Sequence, residues 1–183
     1  MRTRVTPVRS NGAFTMVEIL ITVVILSILV AIAVPSFRLM KANARSTLCA
    51  GNLRNIGIGL NNYFVDKGMF FPTLVVARES REDEVPAIDT VLLGYVGNNE
   101  FTFQCPADHG QFFEKTGSSY FWNSLVNGQK TSNIKLLGMT GHASGIPIVS
   151  DKENFHEDVG DGVNVLYADG HVLREVQFVV ERK

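Results

Sequence analysis

The chain has 183 residues, of which 45% are hydrophobic and 19% are charged. This length suffices for one domain but not for two complete domains with a linker. With 16 glycines and 6 prolines, the composition excludes collagen-like, mucin-like and disordered chains. Two cysteines are too few for a disulfide-framework miniprotein or a four-cysteine zinc module.

Charge is distributed unevenly along the chain. Residues 1–65 contain seven basic side chains and one acid, Glu18, which gives this part a net charge of +6. Residues 66–183 contain the other 10 basic and 17 acidic side chains, a net charge of −7, so that the total is −1. Because an acidic head repels phosphate backbones, we expect no nucleic-acid partner.

An apolar segment begins close to the amino terminus. Three arginines and no acid precede Ala13, and residues 14–34 then contain a single charge. A helix of this length spans about 30 Å, the thickness of the hydrocarbon core of a bilayer. Three structures fit this pattern: a Sec signal peptide cleaved after Ala31-Ile32-Ala33, an uncleaved membrane anchor, and a packing helix that is trimmed near its start.

Glu18 distinguishes among these interpretations. A carboxylate inside an apolar helix costs about 2.5–3.5 kcal/mol on membrane-insertion scales, and neither a signal peptide nor a simple anchor needs one. Cleavage before Phe14 would create an α-amino group four residues from Glu18. The amine of a neighbouring subunit, shifted along the helix axis, could then neutralise this carboxylate. The pattern therefore favours a trimmed helix that associates with copies of itself.

The residues around the expected cleavage point resemble a known signal. The sequence Gly12-Ala13-Phe14-Thr15-Met16-Val17-Glu18 is similar to the type IV prepilin cleavage and methylation signal, although Ala13 replaces the usual glycine. Pro35 lies where pilins of this group commonly carry a helix-bending proline. The resemblance implies cytoplasmic cleavage between Ala13 and Phe14, followed by N-methylation of Phe14, both by a prepilin peptidase.

A helical stripe follows Pro35. Apolar side chains recur at steps of three and four residues, the spacing of one helix face. They are Cys49, Leu53, Ile56, Leu60 and Tyr63 or Phe64. One helix is therefore predicted from about Phe14 to Phe64, and Pro35 should bend it near Ala31. Glycines within it weaken the prediction modestly, because each costs up to about 1 kcal/mol relative to alanine: Gly51, Gly57 and Gly59.

Residues 66–183 are predicted to form a globular head. Its predicted elements are a charge-rich surface stretch at 77–87, a short helix at 87–96, and strands at 118–122 and 146–150. The clearest element is a hairpin, because two β-rich runs flank Asp169-Gly170, the strongest two-residue hairpin signal. Since one hairpin is not stable alone, we predict a small antiparallel sheet against the carboxy-terminal half of the helix.

Four stretches extend the resemblance to a bacterial pilin-like group related to the major pseudopilin of type II secretion: CAGNLRNIG, FQCPAD, SSYFWN and NVLYADGHV. In that group a histidine commonly precedes the terminal Asp-Gly by nine residues, whereas twelve residues separate His156 from Asp169 here, so His156 receives no family role. The resemblance implies an α+β, pilin-like fold. Its long amino-terminal helix, apolar and transmembrane in one half and amphipathic in the other, packs on a small antiparallel β-sheet head.

The resemblance also implies a division of the chain. Residues 1–13 would be a cytoplasmic leader that is removed, 14–34 a transmembrane and filament-core helix, 35–65 its amphipathic continuation, and 66–183 an extracytoplasmic head. The chain would be a single-pass inner-membrane protein with its head in the periplasm, and its filament would lie in the periplasm or at the cell surface.

The implied function is structural. The chain would be a non-enzymatic subunit of a type IV pilus-like or type II secretion pseudopilus filament. Its expected partners are other pilin or pseudopilin subunits, the prepilin peptidase and N-methyltransferase, the inner membrane and the filament assembly platform. The alternative is a secreted or membrane-anchored binding protein with a Sec-type signal peptide.

Few side chains could carry chemistry. In an extracytoplasmic head, Cys49 and Cys105 could form a disulfide contributing about 2–4 kcal/mol, or they could remain unpaired. Cys105 and His109 are spaced to share a metal ion, but no second ligand pair follows. An acidic loop could hold calcium or remain solvated, since it lacks the Asp-x-Asp-x-Asp-Gly pattern; its members are Asp151, Glu153, Asp158 and Asp161.

Catalysis is not expected. His171 and Asp169 resemble a catalytic pair, but Asp169 is better explained as the first turn residue of the hairpin and His171 as the start of a strand. Neither a G-x-S-x-G nucleophile motif nor a phosphate-binding glycine loop occurs in the sequence. We therefore expect no catalytic residue and, apart from the calcium alternative, no cofactor.

Overall fold

The computed structural model of the protein describes residues 14–136, 139–140 and 143–174. The leader with Gly12 and Ala13, and the end of the predicted hairpin region from residue 175 onward, lie outside these residues. The chain divides into two compact units, Met1–Leu39 and Met40–Lys183. The boundary lies within the first helix, α1 (Met16–Asp66), which contains Pro35 in its interior.

In the first unit, α1 is apolar on all sides, as predicted. Every residue from 14 to 39 is exposed. Two hydroxyls inside the helical part of the apolar run bond to the helix backbone, since Thr22 donates to the carbonyl of Ile19 at 2.8 Å and Ser27 to that of Val24 at 2.7 Å. These bonds satisfy polar groups that would otherwise be costly in an apolar solvent.

In the second unit, α1 buries the predicted stripe. The side chains of the stripe are at most 6% exposed and belong to the main core: Cys49, Leu53, Ile56, Leu60 and Phe64. A β-carbon at Gly57 would lie 3.2 Å from Cδ1 of Leu166, a fully buried residue of the sheet. The glycine therefore permits close packing of α1 against the sheet.

The head contains a four-stranded antiparallel sheet, which confirms the predicted α+β, pilin-like architecture. Its strand order is β1 (Tyr120–Trp122), β4 (Pro147–Asp151), β5 (Val165–Tyr167) and β6 (Val172–Leu173). Both isolated predicted strands are present, as β1 and β4. A separate antiparallel pair consists of β2 (Lys135–Leu136) and β3 (Met139–Thr140).

The short helices differ in part from the prediction. Residues 87–96 form α2 (Ile88–Val91) and a separate 3₁₀ turn (Leu93–Val96), rather than one helix. Gly97 ends this turn in the left-handed region, with φ of 74°. The sequence analysis did not predict α3 (Phe112–Thr116). The carboxylate of Asp108 accepts hydrogen bonds from the first backbone N–H groups of α3, which explains why so short a helix forms there.

The hairpin loop has three residues rather than the predicted two. Leu166 pairs with Val172, and the Tyr167 N–H donates to the carbonyl of His171, so the loop consists of Ala168, Asp169 and Gly170. Gly170 has φ of 91°, the left-handed position that closes three-residue hairpin loops. Asp169 is therefore the second loop residue, not the first.

One charged residue of the charge-rich stretch is not on the surface. The side chain of Arg78 is 7% exposed and forms an ion pair with Asp89, whose side chain is 11% exposed. Burial raises the pKa of Asp89, and the neighbouring Arg78 guanidinium opposes that rise. The rest of this stretch is mostly exposed, as predicted.

Candidate functional site

The start of α1 is capped by a residue of the processing signal. The backbone N–H of Glu18 donates to Oγ1 of Thr15 at 3.2 Å, and the Thr15 carbonyl accepts from Ile19. Thr15 and Glu18 thus have the spacing of a capping box. An acid in the first turn also interacts favourably with the helix dipole. The sequence analysis missed this structural role of Glu18, although the T-x-x-E pattern was present.

Glu18 is the only charge on an exposed apolar surface. Phe14 is 77% exposed and Met16 is 90% exposed, and the apolar side chains that follow are about half exposed or more. Among the described residues, the Glu18 carboxylate has no hydrogen-bond or ion-pair partner. Within the same residues, α1 is long and apolar enough to cross a membrane, which is compatible with a membrane anchor.

In the head, a disulfide joins the two cysteines. Cys49 on α1 is bonded to Cys105, with a Cα–Cα distance of 5.0 Å. Both residues are almost fully buried. The bond therefore connects the helix directly to the loop that follows the 3₁₀ turn at Glu100–Phe103.

A histidine and a carboxylate lie beside this disulfide. Nε2 of His156 is 3.4 Å from Sγ of Cys105 and 3.5 Å from Oδ2 of Asp151. His156 and Asp151 are each 4% exposed. Burial lowers the pKa of His156 to about 4, and the charges of Arg174 and His109 act in the same direction. Burial also raises the pKa of Asp151 to about 7, against hydrogen bonds from Asn164. His156 was given no family role because its spacing to Asp169 departs from the family pattern, and no local signal in the sequence connects it to Cys105.

The four acids considered as a possible calcium loop form no group close enough to share an ion among the described residues. Asp151 turns into the interior and accepts two hydrogen bonds from Asn164, whereas the other three acids are exposed. Among the described residues, one group of three or more potential ligands has its atoms close enough for one metal ion, within 4.8 Å of one another, and it contains none of these acids. Its members are Cys49, Cys105 and His156.

The predicted hairpin residues form a local contact. Nδ1 of His171 pairs with the carboxylate of Asp169, and the His171 ring stacks on Tyr167 with 4.5 Å between ring centroids. Both partners of His171 belong to the same hairpin, at the end of β5 and in the loop. The contact therefore serves to close the hairpin.

Comparison with known proteins identifies the amino-terminal segment. Residues 8–34 match the family model described as the prokaryotic N-terminal methylation motif. No curated protein and no solved structure matches the chain. The matched residues include Phe14, Glu18 and the exposed apolar part of α1. The chain thus carries a prokaryotic N-terminal methylation motif on a membrane-compatible helix, which is consistent with a type IV pilin-like protein and supports a pilin- or pseudopilin-like precursor.

Proposed function

We propose that the protein is a structural subunit of a type IV pilus-like or type II secretion pseudopilus filament. The observation that carries this proposal is the methylation motif at residues 8–34, whose described part includes the exposed apolar start of α1 with Glu18 as the single charge in residues 14–34. Such a surface is stable only in lipid or against other apolar helices. The mechanism is association, without catalysis.

Processing would prepare the helix for association. A prepilin peptidase would cleave between Ala13 and Phe14 at the cytoplasmic face and methylate the new amine. In the filament, the amine of one copy would pair with the Glu18 carboxylate of its neighbour. This pairing offsets the cost of placing a charge in an apolar environment, and a mispaired register would leave two charges unsatisfied.

The rest of the chain would form the filament core, the connection from this core to the head, and the head itself. Residues 14–34 would form the filament core, and residues 35–65 would connect this core to the head in the periplasm or at the cell surface. The Cys49–Cys105 disulfide supports an extracytoplasmic head, because disulfides persist mainly in oxidising compartments. The partners would be other pilin-like subunits, the peptidase, the inner membrane and the assembly platform.

The mature amino terminus tests the processing step. Mass spectrometry of the protein isolated from its own membranes should give a chain that begins at N-methyl-Phe14. A chain that begins at Val34 would instead support a Sec-exported binding protein. A chain that retains Met1 would support an uncleaved anchor, and either of these two results would contradict the proposal.

Glu18→Gln tests the pairing step. Glutamine keeps the size of the side chain and the capping-box pattern at the start of α1 but removes the charge. We expect membrane insertion and cleavage to continue, whereas incorporation into filaments falls sharply. Thr15→Val is the matched control, since it removes the cap at Oγ1 of Thr15 and keeps the charge. If both variants lose incorporation equally, Glu18 acts through helix capping and the charge-pairing mechanism is wrong.

A further inference from the structure

Three potential metal ligands from separate parts of the head meet at the disulfide, and the buried carboxylate of Asp151 lies beside one of them, His156. Cys49 comes from α1, Cys105 from the loop after a 3₁₀ turn, Asp151 from the end of β4, and His156 from the loop that follows β4. Two of the closest approaches are 3.4 Å between Sγ of Cys105 and Nε2 of His156, and 3.5 Å between this nitrogen and Oδ2 of Asp151. No other described group of three or more potential ligands is this close.

These distances are those of a tetrahedral zinc site. With Zn–S bonds of about 2.3 Å, Zn–N bonds of about 2.0 Å and Zn–O bonds of about 2.0 Å, the tetrahedral angle separates a sulfur from a nitrogen by about 3.5 Å and a nitrogen from an oxygen by about 3.3 Å. The contacts of His156 with Cys105 and Asp151 differ from these values by a few tenths of an ångström at most. The two sulfurs, which are bonded to each other, lie closer than zinc ligands do, and Asp151 lies outside the group whose atoms are within 4.8 Å of one another. Both cysteines and Asp151 must therefore shift when the disulfide opens.

The carboxylate has an unused acceptor at this place. Oδ1 of Asp151 is buried and has no hydrogen-bond partner among the described residues. Oδ2 accepts from the backbone and side-chain N–H groups of Asn164 at 2.6 and 3.0 Å. Outer-shell bonds of this kind fix the orientation of ligating carboxylates. A buried acceptor without a donor is costly, and a cation would satisfy it.

We propose that, when the Cys49–Cys105 disulfide is reduced, both cysteines bind one Zn²⁺ ion together with Nε2 of His156 and the carboxylate of Asp151. The zinc site and the disulfide therefore exclude each other, because both use the same two cysteines. A zinc-bound head would keep α1 connected to the same loop before oxidation or after reduction. Thiolate and imidazole ligands suit zinc, whereas calcium and magnesium prefer oxygen alone.

The conversion requires a dithiol reductant. The dithiol transfers two electrons and two protons to the disulfide, so that the S–S bond breaks, two thiols form and the reductant itself becomes a disulfide. Binding of Zn²⁺ then releases both thiol protons as two Zn–S bonds form. His156 also lines a surface pocket, together with Phe155, Ala107 and His109.

Cobalt binding tests the site, because Co²⁺ adopts zinc geometry and reports sulfur ligands by absorption. The full chain in detergent is reduced with dithiothreitol, freed of reductant without oxygen, and titrated with Co²⁺. We expect one equivalent to bind with sulfur-to-cobalt charge-transfer bands, and Zn²⁺ to displace it. The oxidised chain should give no such bands. A reduced chain without them overturns the proposal.

Histidine variants give the matched control. His156→Gln and Asp151→Asn should each weaken Co²⁺ binding at least about tenfold, the lower end of the losses seen when only the outer shell of a metal site is perturbed. His109→Gln makes the same change at the exposed histidine next in sequence to Cys105 and should leave binding unchanged. If His109→Gln weakens binding as much as His156→Gln does, the proposed ligand set is wrong.

A second measurement applies if reduction unfolds the head. Zn²⁺ added to the reduced chain should then restore the near-ultraviolet circular dichroism of the oxidised chain, because binding to the folded state stabilises it. His156→Gln should prevent this recovery, and His109→Gln should not. Failure of Zn²⁺ to restore the signal in the unmodified sequence would overturn the proposal as well.

Discussion

Gly59 on α1 lies directly against Val96 of the neighbouring 3₁₀ turn. A β-carbon at position 59 would be 2.6 Å from Cγ1 of Val96 and 3.4 Å from the backbone oxygen of Tyr95. Real β-carbons do not approach other atoms as closely as 2.6 Å, and Cγ1 of Val96 belongs to a stiff β-branched side chain that cannot move away as the end of a long side chain can. The distance of 3.4 Å to the Tyr95 oxygen is an ordinary contact. The glycine therefore sets how closely the helix approaches the head, at the expense of helix propensity.

Gly59→Ala should destabilise the head. Overpacking of this kind costs about 1–3 kcal/mol, more than the gain of up to about 1 kcal/mol from the better helix former. Gly51→Ala is the matched control, because nothing lies within 4 Å of a β-carbon there, and it should be stabilising. Urea unfolding followed by the fluorescence of Trp122 measures both. Stabilisation of similar size in the two variants would contradict the packing argument.

Asn127→Ala should destabilise the head by about 2–3 kcal/mol. The Asn127 side chain accepts from Nε1 of Trp122 at 2.7 Å and from the backbone N–H of Leu74 at 3.2 Å, and it donates to the Leu74 carbonyl at 2.8 Å. Alanine leaves these groups unpaired, and each unsatisfied buried group costs about 1–3 kcal/mol. The midpoint of urea unfolding by circular dichroism gives the loss.

Asn62→Ala provides the control for that loss. Asn62 is exposed on α1 and makes a single long contact of 3.5 Å with the Tyr95 carbonyl. Its replacement should change the free energy of unfolding by no more than about 0.5 kcal/mol. Equal losses at Asn62 and Asn127 would show that the bonds to Trp122 and Leu74 are not the cause.

Asp151 and His156 should give the oxidised head two opposing pH dependences. The pKa of Asp151 is raised from 3.8 to about 7 by burial, so the folded state holds a proton that the unfolded state has lost, and stability falls as pH rises through this range. The pKa of His156 is lowered from 6.5 to about 4 by burial, then by Arg174 and His109, so stability rises as pH rises between these values.

Removing one group should expose the effect of the other. In Asp151→Asn, the free energy of unfolding should gain a contribution that increases from about pH 4 to pH 6.5, because His156 is then the member of this pair that still titrates. In His156→Gln, the contribution of Asp151 should decrease from about pH 4 to pH 7. Urea unfolding with chelator across this range measures both slopes. Slopes of the same sign in the two variants would refute the assignment.

The features predictable from the sequence are those with a local or periodic signal. The apolar segment, the stripe from Cys49 to Phe64, the strands β1 and β4 and the hairpin at Asp169-Gly170 are all of this kind. Hydrophobic periodicity and turn residues predict these features, because side chains a few residues apart lie on the same face of a helix or strand. The hairpin loop length was wrong by one residue, since Asp-Gly fits more than one turn.

The features that could not be predicted depend on distant contacts. Fifty residues separate Cys105 from His156, and no local pattern brings them together. The same holds for Gly59 and Val96, where a glycine that weakens the helix in isolation is required by packing. Arg78 lies in a charge-rich stretch that indicates a surface, but its partner Asp89 makes an inward position favourable. Each case is settled by tertiary structure rather than by propensity.

The Cys49–Cys105 bond has a mechanical consequence. Cys49 is the first residue of the buried stripe along α1, so tension that enters through the amino-terminal part of the helix meets this residue before Leu53 or Ile56. Ser46 and Thr47 bond to the head just before it, through Asn164 and Arg174, but the link at Cys49 is covalent. It therefore resists peeling, in which the packed side chains of the stripe would otherwise separate one after another. Stretching should therefore distort the exposed part of α1 while the stripe stays attached.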